Sequence, residues 1–235
     1  MDKIEILREW VNESHNIVAF TGAGVSTESG VPDFRSVDGL YSQKFEYPPE
    51  TIISHSFYLR NPEYFFRFYR EKMMPMDVEP NITHKTLARW EQEGKLLAVV
   101  TQNIDGLHQS AGSRNVYELH DSVHRNYCEK CGKFYDLDHI LHTTGVPRCQ
   151  CGGIIKPDVV LYEEALDDKV VDGAVNAIAQ ADLLMVGGTS LNVWPAAGLV
   201  NYFRGDRLVL INKSAVARDL AAGLVITDQI GRAHV

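Results

Sequence analysis

A chain of 235 residues that is 45% hydrophobic and 23% charged has enough apolar mass for a substantial core, as one large domain or a domain with a small satellite. Its 31 acidic against 23 basic side chains give a net charge of −8, which argues against a surface built to hold nucleic acid and favours a basic protein or peptide as partner. No apolar run reaches the roughly 18 residues of a membrane span and Met1-Asp2-Lys3-Ile4-Glu5 has no apolar signal stretch, so no membrane partner is expected and the cytoplasm is the expected compartment.

The first predicted strand, Ile17-Val18-Ala19-Phe20, opens into the glycine-rich stretch Thr21-Gly22-Ala23-Gly24-Val25-Ser26-Thr27. Gly22 and Gly24 let the backbone bring N–H groups against a pyrophosphate, and Ser26 and Thr27 add hydroxyls at the start of a predicted helix. The third glycine of the dinucleotide fingerprint is replaced by Thr27, so an ordinary strand-to-helix turn stays open at this point. Just beyond, Pro32-Asp33-Phe34-Arg35 supplies an acid, an aromatic ring and a guanidinium.

Residues from about 36 to 81 read as mostly helical, with an aromatic stripe from Phe57-Tyr58 to Phe68-Tyr69 that suits a core. A second strand, Leu96-Leu97-Ala98-Val99-Val100, runs into Thr101-Gln102-Asn103-Ile104-Asp105-Gly106-Leu107-His108, at the strand end where open α/β sheets bind ligands. Glu118-Leu119-His120-Asp121 follows, with His120 on chain expected to pass between domains.

The four cysteines are Cys128-x2-Cys131 and Cys149-x-Cys151, separated by 17 residues. Two tight pairs at this distance match a zinc ribbon, in which four thiolates close a tetrahedron and leave no position for catalysis. Two disulfides, the alternative, are disfavoured in a reducing compartment and strained between Cys149 and Cys151. Further apolar runs at Leu183–Val186, Leu208–Ile211 and Leu224–Ile226 complete the pattern. Continuous apolar strands with helices between them imply a parallel, doubly wound α/β sheet.

These motifs together resemble the sirtuins, the NAD-dependent protein-lysine deacylases, and the likeness extends through Lys156-Pro157-Asp158-Val159-Val160, Gly188-Thr189-Ser190-Leu191, Pro195-Ala196-Ala197 and Ile211-Asn212. The resemblance implies a Rossmann-like domain (1–35, 82–123, 158–235), a helical module (36–81) and a zinc-ribbon module (124–157), with one structural Zn2+. It also implies that Gly22, Ala23, Gly24, Ser26 and Thr27 surround the pyrophosphate of NAD, with Asp33, Phe34 and Arg35 beside the phosphates and the nicotinamide ribose. Ile104 and Asp105 then form the nicotinamide pocket, Gln102 and Asn103 orient the ribose and a water, and Gly188, Thr189, Ser190 and Asn212 hold phosphate and adenosine ribose. His120 and Asn103 are the implied catalytic residues, His120 as general base on a ribose hydroxyl that takes the acyl group from lysine. The implied products are free lysine, nicotinamide and O-acyl-ADP-ribose. An acyl-lysine peptide would lie between Val159, Val160, Tyr162 and Glu163 on one edge and Val193 and Trp194 on the other.

The chain departs from the family at two places. Asp121 follows the histidine where relatives have glycine, a carboxylate expected to raise the His120 pKa and shift activity to higher pH, and Tyr162-Glu163-Glu164 replaces aromatic-Gly-Glu. Tyr64-x-x-Arg67 has the spacing of the succinyl-preferring relatives, but Phe66 and Tyr69 fall at the critical positions and favour uncharged acyl groups. A protein ADP-ribosyltransferase and a weakened NAD-binding or zinc-ribbon interaction protein are the rival functions.

Overall fold

A computed structural model of the chain describes residues 2–34, 39–74, 77–213 and 222–228. In chain order the elements are α1 (Lys3–Glu13), β1 (Ile17–Thr21), α2 (Pro49–Ile52), α3 (His55–Arg60), α4 (Pro62–Lys72), α5 (Ile82–Gln92), β2 (Leu96–Thr101), α6 (Leu107–Ser110) and β3 (Val116–Glu118). They continue with β4 (Asn126–Cys128), β5 (Phe134–Tyr135), α7 (Leu137–His142), β6 (Ile155–Pro157), α8 (Asp168–Gln180), β7 (Leu183–Gly187), β8 (Arg207–Ile211) and β9 (Leu224–Ile226).

Six strands form one sheet in the order β3-β2-β1-β7-β8-β9, with every neighbouring pair parallel. The continuous apolar runs have the expected cause, burial on both faces. Alternate residues of one strand serve opposite cores: Val18 and Phe20 pack with Val100, Val186, Leu210 and α8, while Ile17 and Ala19 pack with Leu7 and Val11 of α1 and Leu87 and Trp90 of α5. At about 1.5–3 kcal/mol for each large apolar side chain removed from water, these two layers dominate the sheet's stability. The expected strands are all present, and β3 is an addition that its half-buried Val-Tyr-Glu pattern did not announce.

The helices carry their own start signals. Asp167 accepts from the N–H groups of Lys169 and Val170 to cap α8, Ser54 caps α3, and Asn61 caps α4 ahead of Pro62. A second, antiparallel sheet, β5-β4-β6, carries Cys128 at the end of β4, with the other three cysteines on the connections between its strands. One apolar cluster joins α2 to α4 with this small sheet, bringing Ile52, Phe57, Tyr58, Phe65, Phe66 and Tyr69 together with Val123, Cys128, Ile140, Ile155 and Val159. Thr21 of β1 lies in register with both Thr101 of β2 and Gly187 of β7. The three segments that leave these strands therefore emerge side by side.

Candidate active site

After β1 the chain makes two short 3-10 turns, Ala23–Val25 and Thr27–Ser29, and ends on left-handed Gly30. The helix expected to begin at Ser26 is absent; Thr27 Oγ1 turns back to donate to Gly24 O at 3.0 Å, closing the turn instead. This turn lies against the one that follows β7. Gly24 N–H donates to Gly188 O at 2.8 Å, and a Cβ on Gly24 would sit 2.7 Å from Gly188 Cα, so both glycines are required by backbone contact. Gly22 is equally confined, a Cβ there falling 2.7 Å from Thr189 Cβ.

The turn after β2 closes the other side. Gln102 Nε2 donates to Thr189 Oγ1 at 3.2 Å, and Asn103 N–H donates to Thr101 Oγ1 at 3.0 Å. Asn103 and Asp105 are nearly buried, at 7% exposure each, and both meet the fully buried Ser26. Asn103 Nδ2 donates to Ser26 Oγ at 3.0 Å, and Ser26 donates to Asp105 Oδ2 at 2.6 Å. The Ser26 hydroxyl is thus committed to the β2 turn. Asp105 Oδ1 accepts from Leu107 N–H at 3.0 Å, Asp105 O faces His124 Nε2 at 2.9 Å, and Ile104 O accepts from Val123 N–H at 3.1 Å.

His120 stands at the edge of this wall. Its Nδ1 lies 3.0 Å from Gln102 O, and a carbonyl can only accept, so Nδ1 carries the proton and Nε2 is the basic nitrogen of the neutral ring. Burial lowers the pKa of His120, and the bond to Gln102 O offsets only part of that effect. The net direction is therefore downward, opposite to the rise expected beside Asp121. Asp121 sits at φ 56°, in the left-handed region that favours glycine, and its carboxylate accepts from Arg125 Nη2 at 3.2 Å. The same guanidinium binds Glu118 and Asp158 at 2.7 Å each, so the charge of Asp121 is engaged by Arg125 within an acidic cluster.

The remaining residues from the sequence reading divide clearly. Thr189 O accepts from Asn212 Nδ2 at 3.3 Å, which brings Gly188, Thr189, Ser190 and Asn212 to one end of the sheet. Phe34 packs edge-on against Tyr41, and Asp33 O accepts from Leu40 N–H; Arg35 lies outside the described residues. Val160 N–H donates to His120 O at 3.2 Å, tying the 159–164 segment to the histidine. Tyr162 bridges to Ser54, and Glu163, at φ 78°, accepts from Ser56 N–H at 2.8 Å. Burial would push Glu164 up, but Leu161 N–H, His55 and Lys156 hold it below the ordinary carboxylate range. Trp194 is 61% exposed beside Val193. Arg67 lies over the Tyr64 ring at 4.6 Å, whereas Phe66 and Tyr69 are fully buried.

The four cysteine sulfurs lie within 4.8 Å of one another, with Cys128–Cys151 at 3.4 Å and Cys131–Cys149 at 3.6 Å. These distances are too long for disulfides, and a Zn–S length of about 2.3 Å places tetrahedral sulfurs about 3.8 Å apart, so the set fits zinc. Each pair sits on a tight turn with a left-handed glycine, Gly132 or Gly152.

The Sir2 family model matches residues 22–195. The chain belongs to the Sir2 family. Among its Sir2 relatives, the NAD-dependent protein deacetylase of Clostridium acetobutylicum is 60% identical over 236 residues, covering 99% of this chain and 96% of that protein. The corresponding Clostridium perfringens deacetylase is also 60% identical, covering 98% and 96%. Among solved structures, a Sir2 with a deacetylated p53 peptide and 3′-O-acetyl-ADP-ribose superimposes with a TM-score of 0.89 at 36% identity, covering 99% of this chain and 97% of that one. A Sir2 complex with p53 peptide and NAD+ gives 0.85 at 38% identity, covering 99% and 95%. In this Sir2 chain the sequence reading missed His84, whose ring lies behind Ser26; the Asn81-x-x-His84 capping box at the start of α5 was its only local signal.

Proposed function

We propose that this chain is an NAD-dependent protein-lysine deacylase that moves the acyl group of a lysine side chain to ADP-ribose with the consumption of one water, leaving free lysine, nicotinamide and O-acyl-ADP-ribose. The observation that carries the reading is His120, its Nδ1–H held by Gln102 O and its Nε2 left basic, beside the buried Asn103-Ser26-Asp105 wall. NAD supplies a good leaving group, nicotinamide, and a ribose that accepts the acyl group. His120 takes a proton from a ribose hydroxyl at Nε2. Asp105 accepts from the carboxamide NH2, Ile104 lines that pocket, and Gln102 and Asn103 orient the ribose and a water.

Gly22, Ala23, Gly24, Thr27, Gly188, Thr189, Ser190 and Asn212 bind phosphate and ribose. Ser26 supports that site from behind, Phe34 covers the nicotinamide ribose beside Asp33, and the charge of Arg35 serves the phosphate or ribose region. Cys128, Cys131, Cys149 and Cys151 hold one structural zinc; with four thiolate ligands it takes no part in the chemistry. In this reading the chain divides into a Rossmann-like part, a helical module over 36–81 and a ribbon over 124–157, and the acyl-lysine peptide lies between 159–164 and 193–194. The peptide's backbone lies there as an added strand.

Solved Sir2 relatives carry acetylated and propionylated peptides, which supports uncharged acyl-lysine as the substrate class. The cytoplasm is the compartment proposed, supported by four cysteines free of disulfides. Among the described residues no helix is long and apolar enough to cross a membrane. The deciding experiment measures nicotinamide release from NAD with and without an acetyl-lysine peptide, for the chain and for His120→Ala. Peptide-dependent release that continues over many turnovers in the chain but not in His120→Ala supports the deacylase; labelled ADP-ribose retained on the acceptor protein supports ADP-ribosyl transfer instead.

A further inference from the structure

Behind Asp105 lies a side chain that the roles above do not use. His84, in the first turn of α5, is 0% exposed, and its two ring nitrogens have different partners. Asn81 N–H donates to Nδ1 at 3.2 Å. A backbone amide only donates, so Nδ1 is unprotonated and the ring proton is on Nε2. Nε2 faces Ser26 Oγ at 3.4 Å, the longest link of the set.

The Ser26 oxygen therefore receives two N–H groups, from His84 and from Asn103 Nδ2. Both of its lone pairs are taken. Its single proton goes to Asp105 Oδ2 at 2.6 Å. Asn81 anchors the far end of this relay, its Nδ2 donating to Val25 O at 2.7 Å and to Ser29 Oγ at 3.1 Å. The ring of His108, 1% exposed, packs edge-on against His84 at 4.8 Å and blocks reorientation. Burial also lowers the pKa of His84, to about 4, despite the nearby Asp105 charge, so the neutral form prevails near pH 7.

We propose that His84 is a positioning residue for the nicotinamide pocket: its Nε2–H fixes the Ser26 hydroxyl so that the Ser26 proton stays on Asp105, and Asp105 remains an oriented carboxylate acceptor. This rests on the reading that Asp105 meets the carboxamide of nicotinamide. Without the Nε2–H, the Ser26 hydroxyl can rotate and the Asp105 carboxylate loses its fixed direction. The hydrogen bonds of such a relay contribute through orientation more than through net stability.

Two substitutions separate the ring's functions. His84→Gln keeps a donor near Nε2, and His84→Asn keeps an acceptor near Nδ1 for Asn81 but no donor to Ser26. The measurement is the nicotinamide concentration that half-inhibits peptide deacylation, together with KM for NAD, kcat and Tm. The expected result is a rise of about five- to tenfold in both constants for His84→Asn, as for loss of one hydrogen bond. His84→Gln should stay within about twofold, with equal Tm values for the two variants. Adding His84→Asn to Ser26→Ala should change neither constant further, because the effect runs through Ser26. In the unaltered chain, 15N spectra of labelled histidine should show His84 protonated at Nε2 alone, a reading that needs neither turnover nor a variant that folds.

Equal nicotinamide sensitivity in the two variants, additivity with Ser26→Ala, or a proton on Nδ1 overturns the proposal. If the unaltered chain releases no nicotinamide with an acetyl-lysine peptide, the deacylase reading fails first and the proposal with it.

Discussion

Arg125 donates to Asp121 at 3.2 Å, so the side chain that follows His120 is held by a neighbouring guanidinium. Its carboxyl is pushed up to about 6, mainly by burial and then by the charge of Asp158, with Arg125 pulling in the opposite direction. A carboxyl raised above its ordinary 3.8 binds its proton more tightly in the folded chain, so ionising it costs stability. That cost is absent below about pH 4, grows through pH 6 and is complete above it. Screening at this partly exposed site reduces it to about 1 kcal/mol. Asp121→Asn is expected to melt about 2–4 °C above the parent at pH 7, with the gap closing towards pH 4. An equal gap at both pH values, measured by thermal denaturation, would contradict the raised carboxyl. Asp121→Gly relieves the left-handed strain as well and should retain peptide-dependent nicotinamide release.

His120 governs the acid limb of the rate profile. Because burial lowers its pKa, the basic form persists below the ordinary histidine value of about 6.5. The limb of kcat/KM against pH that reports the free enzyme should therefore fall below pH 6.5, and His120→Ala should lower kcat/KM by about 10²–10⁴-fold. A limb above pH 6.5 would argue for a carboxylate raising the histidine.

The contact between the two glycine turns predicts a defect in cofactor binding. Gly188 lies at φ 63°, and a Cβ there meets the Gly24–Val25 backbone. Gly188→Ala is expected to destabilise the chain by about 1–3 kcal/mol and to raise the Kd for NAD at least tenfold, checked by denaturant unfolding and calorimetry. Parent-like affinity would separate this turn from the cofactor.

Metal content tests the ribbon. Atomic absorption should find one zinc per chain, and Cys131→Ser or a strong chelator should remove it and lower Tm by several degrees or more. A parent-like Tm in metal-free protein would mean that the small sheet stands without the ion.

The sheet was legible because strands buried on both faces read as unbroken apolar runs, and the ribbon because thiolate pairs on knuckles keep a tight spacing. That Asn103, Asp105 and His120 meet at one end of the sheet followed from the strand that precedes them, while the roles proposed for them come from resemblance. The bond from Ser26 to Asp105 was not legible, since a serine after a glycine turn looks the same whether its hydroxyl points outward or onto a carboxylate 79 residues away. His84 escaped because its partner Ser26 is 58 residues away in the chain. The direction of the His120 shift was misjudged because burial of the ring, which a sequence does not show, sets it.

The apolar cluster that joins α2–α4 to the cysteine-bearing sheet is reinforced by polar ties. Tyr58 donates to Glu129 at 2.9 Å, and Arg70 donates to Ile140 O and Gly145 O at 2.9 and 2.8 Å. Two stretches far apart in the chain therefore share one packing surface. Chimaeras that exchange substrate preference between relatives must transplant both stretches at once, because either one alone would meet a foreign packing surface.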